Sequence, residues 1–298
     1  MSSTLIGPLW AVHISDNVLT PAWCVGGGLV AALLAWLGAQ RIRDEEIPRV
    51  ALLTAAFFVA SLIHVQVGPT SAHLLLNGLV GVVLGWRAAL AIPVGLFLQA
   101  ALIGHGGFTT LGVNSCIMVL PALLAWWLFA ALRRLPWVRK PWFRALLVAL
   151  STLAWTLSLV YSIALLWTNP VRGLATPDIA PANRLIGHPA VLAGAVFLAG
   201  LAAWAERRLD NAPEFALGLL VGETAVLTTA LLNCLVLLWG GQENWYFLAL
   251  VVFIVHLPVA VIEGVVLGFL VGFLVHVKPE MVGWAPAEKV ECTADSLP

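Results

Sequence analysis

Residues 98–118 read LQAALIGHGGFTTLGVNSCIM, two apolar runs joined by a short polar loop that carries His105 among glycines. The runs on either side of this loop extend over about 88–104 and 110–132. A membrane-spanning helix needs about 20 predominantly apolar residues, or somewhat fewer where the span is irregular. The stretch therefore predicts two membrane helices connected by a loop that holds a histidine.

The same pattern recurs along the chain. Its 298 residues are 61% hydrophobic and 10% charged, and the mean hydropathy is +0.98, whereas a soluble domain carries about 25% charged residues. The composition predicts an all-α, polytopic transmembrane bundle over residues 1–276 and a polar cytoplasmic tail over 277–298. The formal net charge of zero gives no reason to expect a nucleic-acid partner. Nine apolar runs are expected to span, at about 20–40, 49–67, 71–86, 88–104, 110–132, 143–168, 188–206, 213–239 and 246–276.

The basic residues predict the orientation of the bundle. With the N-terminus outside, thirteen of the fifteen lysines and arginines fall in inner connections and only Arg172 and Arg184 in outer ones. Cytoplasmic connections are enriched in basic residues. We therefore expect the N-terminus outside and the C-terminus inside.

Histidines concentrate at the outer ends of these runs. Five of the seven have this position on the predicted map: His13, His64, His73, His105 and His188. Imidazole is the commonest protein ligand for metals such as zinc, copper, iron and nickel. Both a metal site and ordinary interfacial histidines fit this distribution.

Four segments resemble one family. HISDNVLTP (13–21), VGPTSAHLLLNGLVGVVLGWRAAL (67–90), residues 98–118 and HLPVAVIEGVVLGFLVGFL (256–274) are similar, in this order, to motifs of the CbiM/NikM family. Its members are the substrate-binding membrane subunits, or S components, of energy-coupling factor (ECF) transporters for cobalt or nickel. They usually have about seven spans, so the resemblance implies that residues 143–206 form an additional helical pair.

The resemblance also implies a metal site. In the family, the metal is held by the N-terminal amine, the backbone nitrogen and imidazole of a histidine at position two, and a second histidine. These histidines correspond to His13 and His73. Asn114 and His105 match positions that orient the ligands or their loops, while His105 and His64 are the candidates for a substitute nitrogen ligand. Asp16 is expected either to orient a ligating imidazole or to cap the first helix.

The position of His13 raises a question about the start of the chain. If translation begins at Met1, the α-amine is twelve residues away and cannot join the chelate. His64 or His105 would then have to supply a nitrogen. Alternatively, translation begins at Val12, or proteolysis exposes a new amine; we expect the Val12 start.

Small and acidic residues inside the apolar runs allow two interpretations each. Gly27, Ala31 and Ala35 recur every four residues, a spacing that lets helices approach closely. They serve either internal packing or docking onto a coupling subunit. Glu263, like Glu223, is either functional or a hydrogen-bonding partner that fixes helix packing.

The resemblance implies an importer of Ni(II) or Co(II), with no prosthetic group, in the bacterial cytoplasmic membrane. Its expected partners are a transmembrane coupling subunit (EcfT/CbiQ-like), ATPase subunits (CbiO-like) and a small accessory membrane subunit (CbiN/NikN-like). The sequence has no GxxxxGK[ST] motif, so a partner must hydrolyse ATP. The alternatives are a proton-coupled secondary transporter and an intramembrane metalloenzyme, although HExxH is absent. The choice between nickel and cobalt stays open.

Overall fold

The computed structural model describes residues 10–11, 13–67, 70–168, 178–209 and 213–283. This part of the chain is almost entirely helical, with three short strands. The helices are α1 (Pro21–Ala39), α2 (Ile47–Leu62), α3 (Asn77–Leu84), α4 (Ala88–Ile103), α5 (Leu111–Leu132), α6 (Pro141–Thr168), α7 (Ala180–Ile186), α8 (Pro189–Leu209), α9 (Pro213–Gly240) and α10 (Tyr246–Val277). The strands are β1 (Trp10–Ala11), β2 (His64–Val67) and β3 (Thr70–His73).

Seven helical stretches in the described residues are long and apolar enough to cross a membrane, against the nine spans predicted. They are Pro21–Ala39, Asn77–Ile103, Leu111–Leu132, Pro141–Leu165, Pro189–Arg208, Glu214–Gly240 and Tyr246–Val277. Asn77–Ile103 combines α3 and α4. The remaining predicted span corresponds to α2, which has only 16 residues.

The predicted spans at 49–67 and 71–86 are wrong in their boundaries. The first ends at Leu62, and residues 64–67 and 70–73 form an antiparallel hairpin instead of helix. The helical part that remains of the second, α3, has eight residues, or about 12 Å at 1.5 Å per residue. It is too short to cross a bilayer core of about 30 Å. A short apolar run does not by itself distinguish strand from helix.

A turn at Gly85–Arg87 separates α3 from α4. Gly85 has a φ of +54°, which glycine adopts without the steric cost that other residues incur. Arg87 follows and donates hydrogen bonds to the carbonyl oxygens of Gly38 (2.8 Å), Gln40 (2.7 Å) and Arg41 (3.0 Å). The turn therefore lies against the C-terminal end of α1, opposite the end that His13 precedes.

The strands form one sheet in the order β1-β3-β2. β2 is antiparallel to β3, with His64 opposite His73. β1 is parallel to β3, with Trp10 opposite Thr70 and Ala11 opposite Ser71. His13 lies two residues after Ala11 and His73 two residues after Ser71, and their rings are close in space, with centroids 5.1 Å apart.

Several helices of the bundle approach each other closely at glycines. A Cβ on Gly81 would overlap the backbone of Ala122, so α3 packs tightly on α5. Between α9 and α10, Gly218 faces Gly268 and Gly222 faces Gly264 in the same manner. These glycines serve internal packing, because small residues let two helix backbones approach closely.

The glycine on α1 also packs internally. Gly27 lies against Val113 of α5, and there is no room for a Cβ between them. Ala31 and Ala35, the other members of the predicted stripe, are half-buried. Internal packing thus accounts for Gly27, and the docking role of the stripe stays a prediction.

Helices α6, α7 and α8 contact one another, and α6 also packs on α10. A buried ion pair joins α6 to α8, with 3.5 Å between Arg144 Nε and Glu206 Oε1. Ser162 on α6 donates a hydrogen bond of 3.4 Å to the carbonyl oxygen of Ile254. That carbonyl lies four residues before Pro258, which has no N–H to donate to it. That residues 143–206 form a helical pair additional to the usual spans of the family stays a prediction.

Candidate metal centre

Three histidines from three different segments meet at one point. His13 follows β1, His73 ends β3 and His105 lies in the loop between α4 and α5. Their ring centroids are 5.1 Å apart for His13 and His73, 5.1 Å for His13 and His105, and 5.0 Å for His73 and His105. One nitrogen from each ring lies within 4.8 Å of the other two.

The cluster is shielded from solvent. His13 is 2% exposed and His73 3% exposed, while His105 is half-buried. Burial lowers the pKa of His13 well below its usual value, and the nearby imidazoles of His73, His105 and His256 lower it further. His13 is therefore neutral at physiological pH, which is the form that binds a metal.

Asn114 fixes the backbone next to His13. Its Oδ1 accepts a hydrogen bond of 2.9 Å from the amide of Ile14, and its Nδ2 donates one of 2.9 Å to the carbonyl oxygen of the same residue. The hydroxyl of Thr110 donates a further hydrogen bond to that carbonyl. α5 thus clamps the residue that follows His13 from two sides. That Asn114 orients a metal ligand stays a prediction, which these contacts with the neighbour of His13 support.

Asp16 fixes the loop that carries His105. Its carboxylate accepts hydrogen bonds from the amides of Phe108 (3.2 Å) and Thr109 (2.8 Å) and from the Thr109 hydroxyl. Burial raises the pKa of Asp16, but the hydrogen bonds outweigh it and the net shift is downward. The capping alternative is wrong, because α1 begins at Pro21 with Thr20 at its N-cap position. The expectation that Asp16 orients a ligating imidazole directly stays a prediction.

The orientation of the His73 ring is set by its own backbone. Nδ1 lies 2.9 Å from the carbonyl oxygen of Leu74. A carbonyl only accepts hydrogen bonds, so Nδ1 carries the proton and Nε2 carries the lone pair. Metal-binding histidines are commonly oriented by such a hydrogen bond from the nitrogen that does not bind the metal.

Glu263 holds the chain just beyond His73. Its carboxylate accepts hydrogen bonds from the amides of Leu75 and Leu76, the latter at 2.9 Å. These amides immediately precede α3, whose N-terminus attracts a negative charge. These hydrogen bonds agree with the interpretation of Glu263 as a residue that fixes packing, and a functional role for Glu263 stays a prediction.

Only some of the histidines predicted at the outer ends of the helices lie together. His13, His73 and His105 come together, whereas His188 is exposed and outside the cluster. His64 pairs with His73 through its backbone. Its side chain lies outside the described part of the structure, so its role stays a prediction.

Sequence reasoning missed two buried residues near the cluster. Gln99 of α4 and His256 of α10 are both 0% exposed. Both affect the pKa of His13, which Gln99 raises and His256 lowers. Gln99 sits in the quoted stretch, five residues before Gly104, where the polar loop begins. Gln99 could have been predicted as part of the site from the sequence. It is a polar residue inside an apolar run near the loop of His105, and polar residues are costly in a membrane.

The donor set limits what the cluster can hold. Three imidazole nitrogens suit borderline metals such as nickel, zinc and copper, and carboxylate sets suit magnesium or calcium. Among the described residues, the group contains no carboxylate. Three such histidines could therefore hold a divalent transition metal through nitrogen ligands.

Comparison with known proteins agrees with this chemistry. The family model "CbiM: Cobalt uptake substrate-specific transmembrane region" matches residues 13–187 and 180–281. A cobalt transport protein CbiM of Thermosynechococcus vestitus is 34% identical over 184 residues, which cover 57% of this chain and 69% of that protein. A proposed metal transport protein of Haemophilus influenzae is 46% identical over 119 residues, covering 40% of this chain and 57% of the relative.

A further relative is a fused protein. The fused nickel transport protein NikMN of Rhodobacter capsulatus is 36% identical over 110 residues, covering 35% of this chain and 31% of that protein. The chain thus spans about a third of the Rhodobacter protein and just over half of the Haemophilus one.

The fold has a counterpart among solved structures. A crystal structure of a transition metal transporter superimposes with a TM-score of 0.51 at 20% identity, covering 89% of this chain and 93% of the other. At this identity the likeness concerns the fold alone. The family match, by contrast, extends over most of the sequence and agrees with the prediction of a metal transporter rather than an enzyme. The chain is a multi-pass membrane protein that belongs to the CbiM family of cobalt-uptake substrate-specific transmembrane regions.

Proposed function

We propose that this protein is the S component of an ECF-type importer and binds Ni(II) or Co(II) at an outward-facing site. The observation that carries the proposal is the group of His13, His73 and His105, whose nitrogens lie within 4.8 Å of one another. Relatives in the same family are described as cobalt and nickel transport proteins. The bound ion is the transported cargo.

The position of the cluster along the bundle supports the outward orientation. His13 precedes α1, and the Arg87 turn lies at the other end of that helix. Arg133 contacts the carbonyl oxygens of Val282 and Gly283 just beyond α10. Basic residues concentrate on the cytoplasmic side of membrane proteins, so the end with the arginines is the inner one and the histidines face outward.

Energy must come from partner subunits. The sequence has no phosphate-binding loop motif, and we propose EcfT/CbiQ-like and CbiO-like partners in the bacterial cytoplasmic membrane. The fused NikMN relative supports a CbiN/NikN-like accessory subunit, since its name joins an M component to an N component. Uptake of radioactive nickel or cobalt by cells that express the chain with and without these partners tests the assignment.

Metal binding by the purified protein tests the site. We expect His13→Ala and His73→Ala each to weaken Ni(II) binding by at least about 100-fold, because loss of a residue that merely orients a ligand already costs about 10–100-fold. His188→Ala is the matched control, since His188 is exposed and outside the cluster. Isothermal titration with Ni(II), Co(II) and Zn(II) measures the effect. Unchanged binding in both cluster variants would overturn the site.

A further inference from the structure

A cavity lies at the end of the bundle opposite the histidine cluster. Its volume is about 360 Å³. It is bounded by the start of α2, the turn Gly85–Arg87, the end of α5 and the single-turn helix Pro279–Val282 that follows α10. The proposed metal site does not use this cavity, which we call the arginine pocket after Arg49, Arg87 and Arg133 in its wall.

The arginine pocket has a net positive charge. Its three arginines come from three places in the chain: Arg49 from α2, Arg87 from the turn before α4 and Arg133 from the position directly after α5. Two carboxylates, those of Glu46 and Glu280, also line it. The wall therefore carries one more positive than negative charge, and a ligand with a single negative charge would balance it.

The three guanidinium groups differ in how far the protein satisfies them. Arg87 forms an ion pair of 3.1 Å with Glu46 and donates hydrogen bonds to three carbonyl oxygens. Within the described part of the chain, Arg133 donates only from Nη1, to two carbonyl oxygens just beyond α10. Arg49 forms no hydrogen bond or ion pair with any described residue. All the donors of Arg49, together with Nε and Nη2 of Arg133, are thus available to a ligand.

Two tryptophans indicate that the pocket lies at the edge of the membrane. Trp86 and Trp126 both line it, with ring centroids 6.3 Å apart, and they are 45% and 36% exposed. Tryptophan is enriched where the apolar core of a membrane meets the lipid headgroups. The wall also has an apolar part, formed by residues 82–84 and Phe129. The pocket therefore combines cations with apolar surface at the depth of the headgroups.

This combination matches one end of an anionic phospholipid. Guanidinium groups bind phosphate through paired hydrogen bonds, and basic pockets between membrane helices bind the headgroups of anionic lipids. A free phosphate ion would use the arginines but leave the apolar wall without a partner. A zwitterionic lipid would bring a positive group to a wall that is already positive.

We propose that the arginine pocket binds an anionic phospholipid, with Arg49 and Arg133 on the phosphate and the apolar wall along the upper part of the acyl chains. In the proposed orientation this lipid belongs to the cytoplasmic leaflet. Because α2, α5 and the residues after α10 all line the pocket, the bound lipid joins three parts of the bundle. The inference goes beyond metal transport and does not depend on the metal site.

Lipid binding by the purified full-length protein in detergent tests the inference. Phosphatidylglycerol, which carries one negative charge, and zwitterionic phosphatidylcholine with the same acyl chains are titrated separately, and native mass spectrometry counts the lipids bound. We expect the wild type to bind phosphatidylglycerol at least about fivefold more tightly, since one basic residue near an anionic lipid surface already contributes about this factor. Inorganic phosphate at millimolar concentration should not displace the lipid.

Variants of Arg49 locate the bound lipid. Arg49→Gln should remove most of the preference for phosphatidylglycerol, whereas Arg49→Lys, which keeps the charge, should retain most of it. Arg134→Gln is the matched control, because Arg134 is exposed at the same end of the bundle and lies outside the pocket. This control should bind both lipids as the wild type does.

Four other outcomes would overturn the inference. Equal affinity of the wild type for the two lipids would do so whether or not the variants fold. Equal losses in Arg49→Gln and Arg134→Gln would show a diffuse attraction to the basic end of the bundle. Displacement by inorganic phosphate would assign the pocket to a free anion. Loss of copurification with the proposed coupling subunit in Arg49→Gln, with lipid binding unchanged, would assign the pocket to a partner protein.

Discussion

At the scale of single residues, the side chains around the metal cluster act mainly on the backbone. Asn114 clamps Ile14 and Asp16 anchors the amides of Phe108 and Thr109. Glu263 anchors the amides that follow His73. Each of these contacts fixes a segment adjacent to one of the proposed ligands. A rigid site of this kind loses less conformational entropy when it binds an ion.

Substitution of Asn114 tests whether holding the backbone next to His13 strengthens metal binding. We expect Asn114→Ala to weaken Ni(II) binding by about 10–100-fold without removing a ligand, because Ile14 loses both of its hydrogen bonds to the side chain. Titration of the purified variant measures the change, and Asn183→Ala, at an exposed position of α7, is the control. Wild-type affinity in Asn114→Ala would show that Thr110 alone suffices to hold the segment.

At the scale of elements, the hairpin of β2 and β3 replaces the helix that the apolar pattern predicted. Its strands let β1 pair in parallel with β3, which brings the positions of His13 and His73 together. Backbone polar groups at membrane depth are tolerated where protein surrounds them, and the carboxylate of Glu263 satisfies two of them. The chain is therefore extended instead of helical at the hairpin, where strand pairing brings His13 and His73 together.

Proline 258 in α10 is a second irregular element, and α6 compensates for it. We expect Ser162→Ala to cost about 1 kcal/mol of stability, since it removes the donor to the carbonyl of Ile254. In a Pro258→Ala background the restored amide of residue 258 can bond that carbonyl, so the cost of Ser162→Ala should become smaller. Thermal unfolding of the four proteins of this double-mutant cycle in detergent measures the coupling. Equal costs in both backgrounds would contradict the assigned role of Ser162.

At the scale of the whole molecule, the histidines and the arginines mark opposite ends of the bundle. The cluster at His13 precedes α1, whereas Arg87 contacts the residues that end it. This polarity, together with the preference of basic residues for the cytoplasm, supports the proposed orientation with the histidines outside. A site at the outer end of such a bundle can collect an ion from outside the cell.

Labelling of introduced cysteines tests the orientation. Asp178 and Glu280 are exposed at opposite ends of the bundle. A membrane-impermeant maleimide should label Asp178→Cys in intact cells and Glu280→Cys only after permeabilisation. The wild-type chain, with its native cysteines, gives the background. The reverse pattern would show that the histidines face the cytoplasm.

Local composition was enough to predict a multi-pass helical membrane protein, because the transfer of an apolar run into lipid depends on that composition. The sequence also identified His13, His73 and His105 through motifs. It did not distinguish α3 and its hairpin from a spanning helix, since a short apolar run fits either.

The meeting of the three histidines depends on tertiary contacts. The pairing of β1 with β3 aligns His13 with His73, and the contacts of Asp16 position the loop of His105. Strand register and helix rotation arise from contacts between residues far apart in the chain, as between Leu75 and Glu263, so no local pattern specifies them.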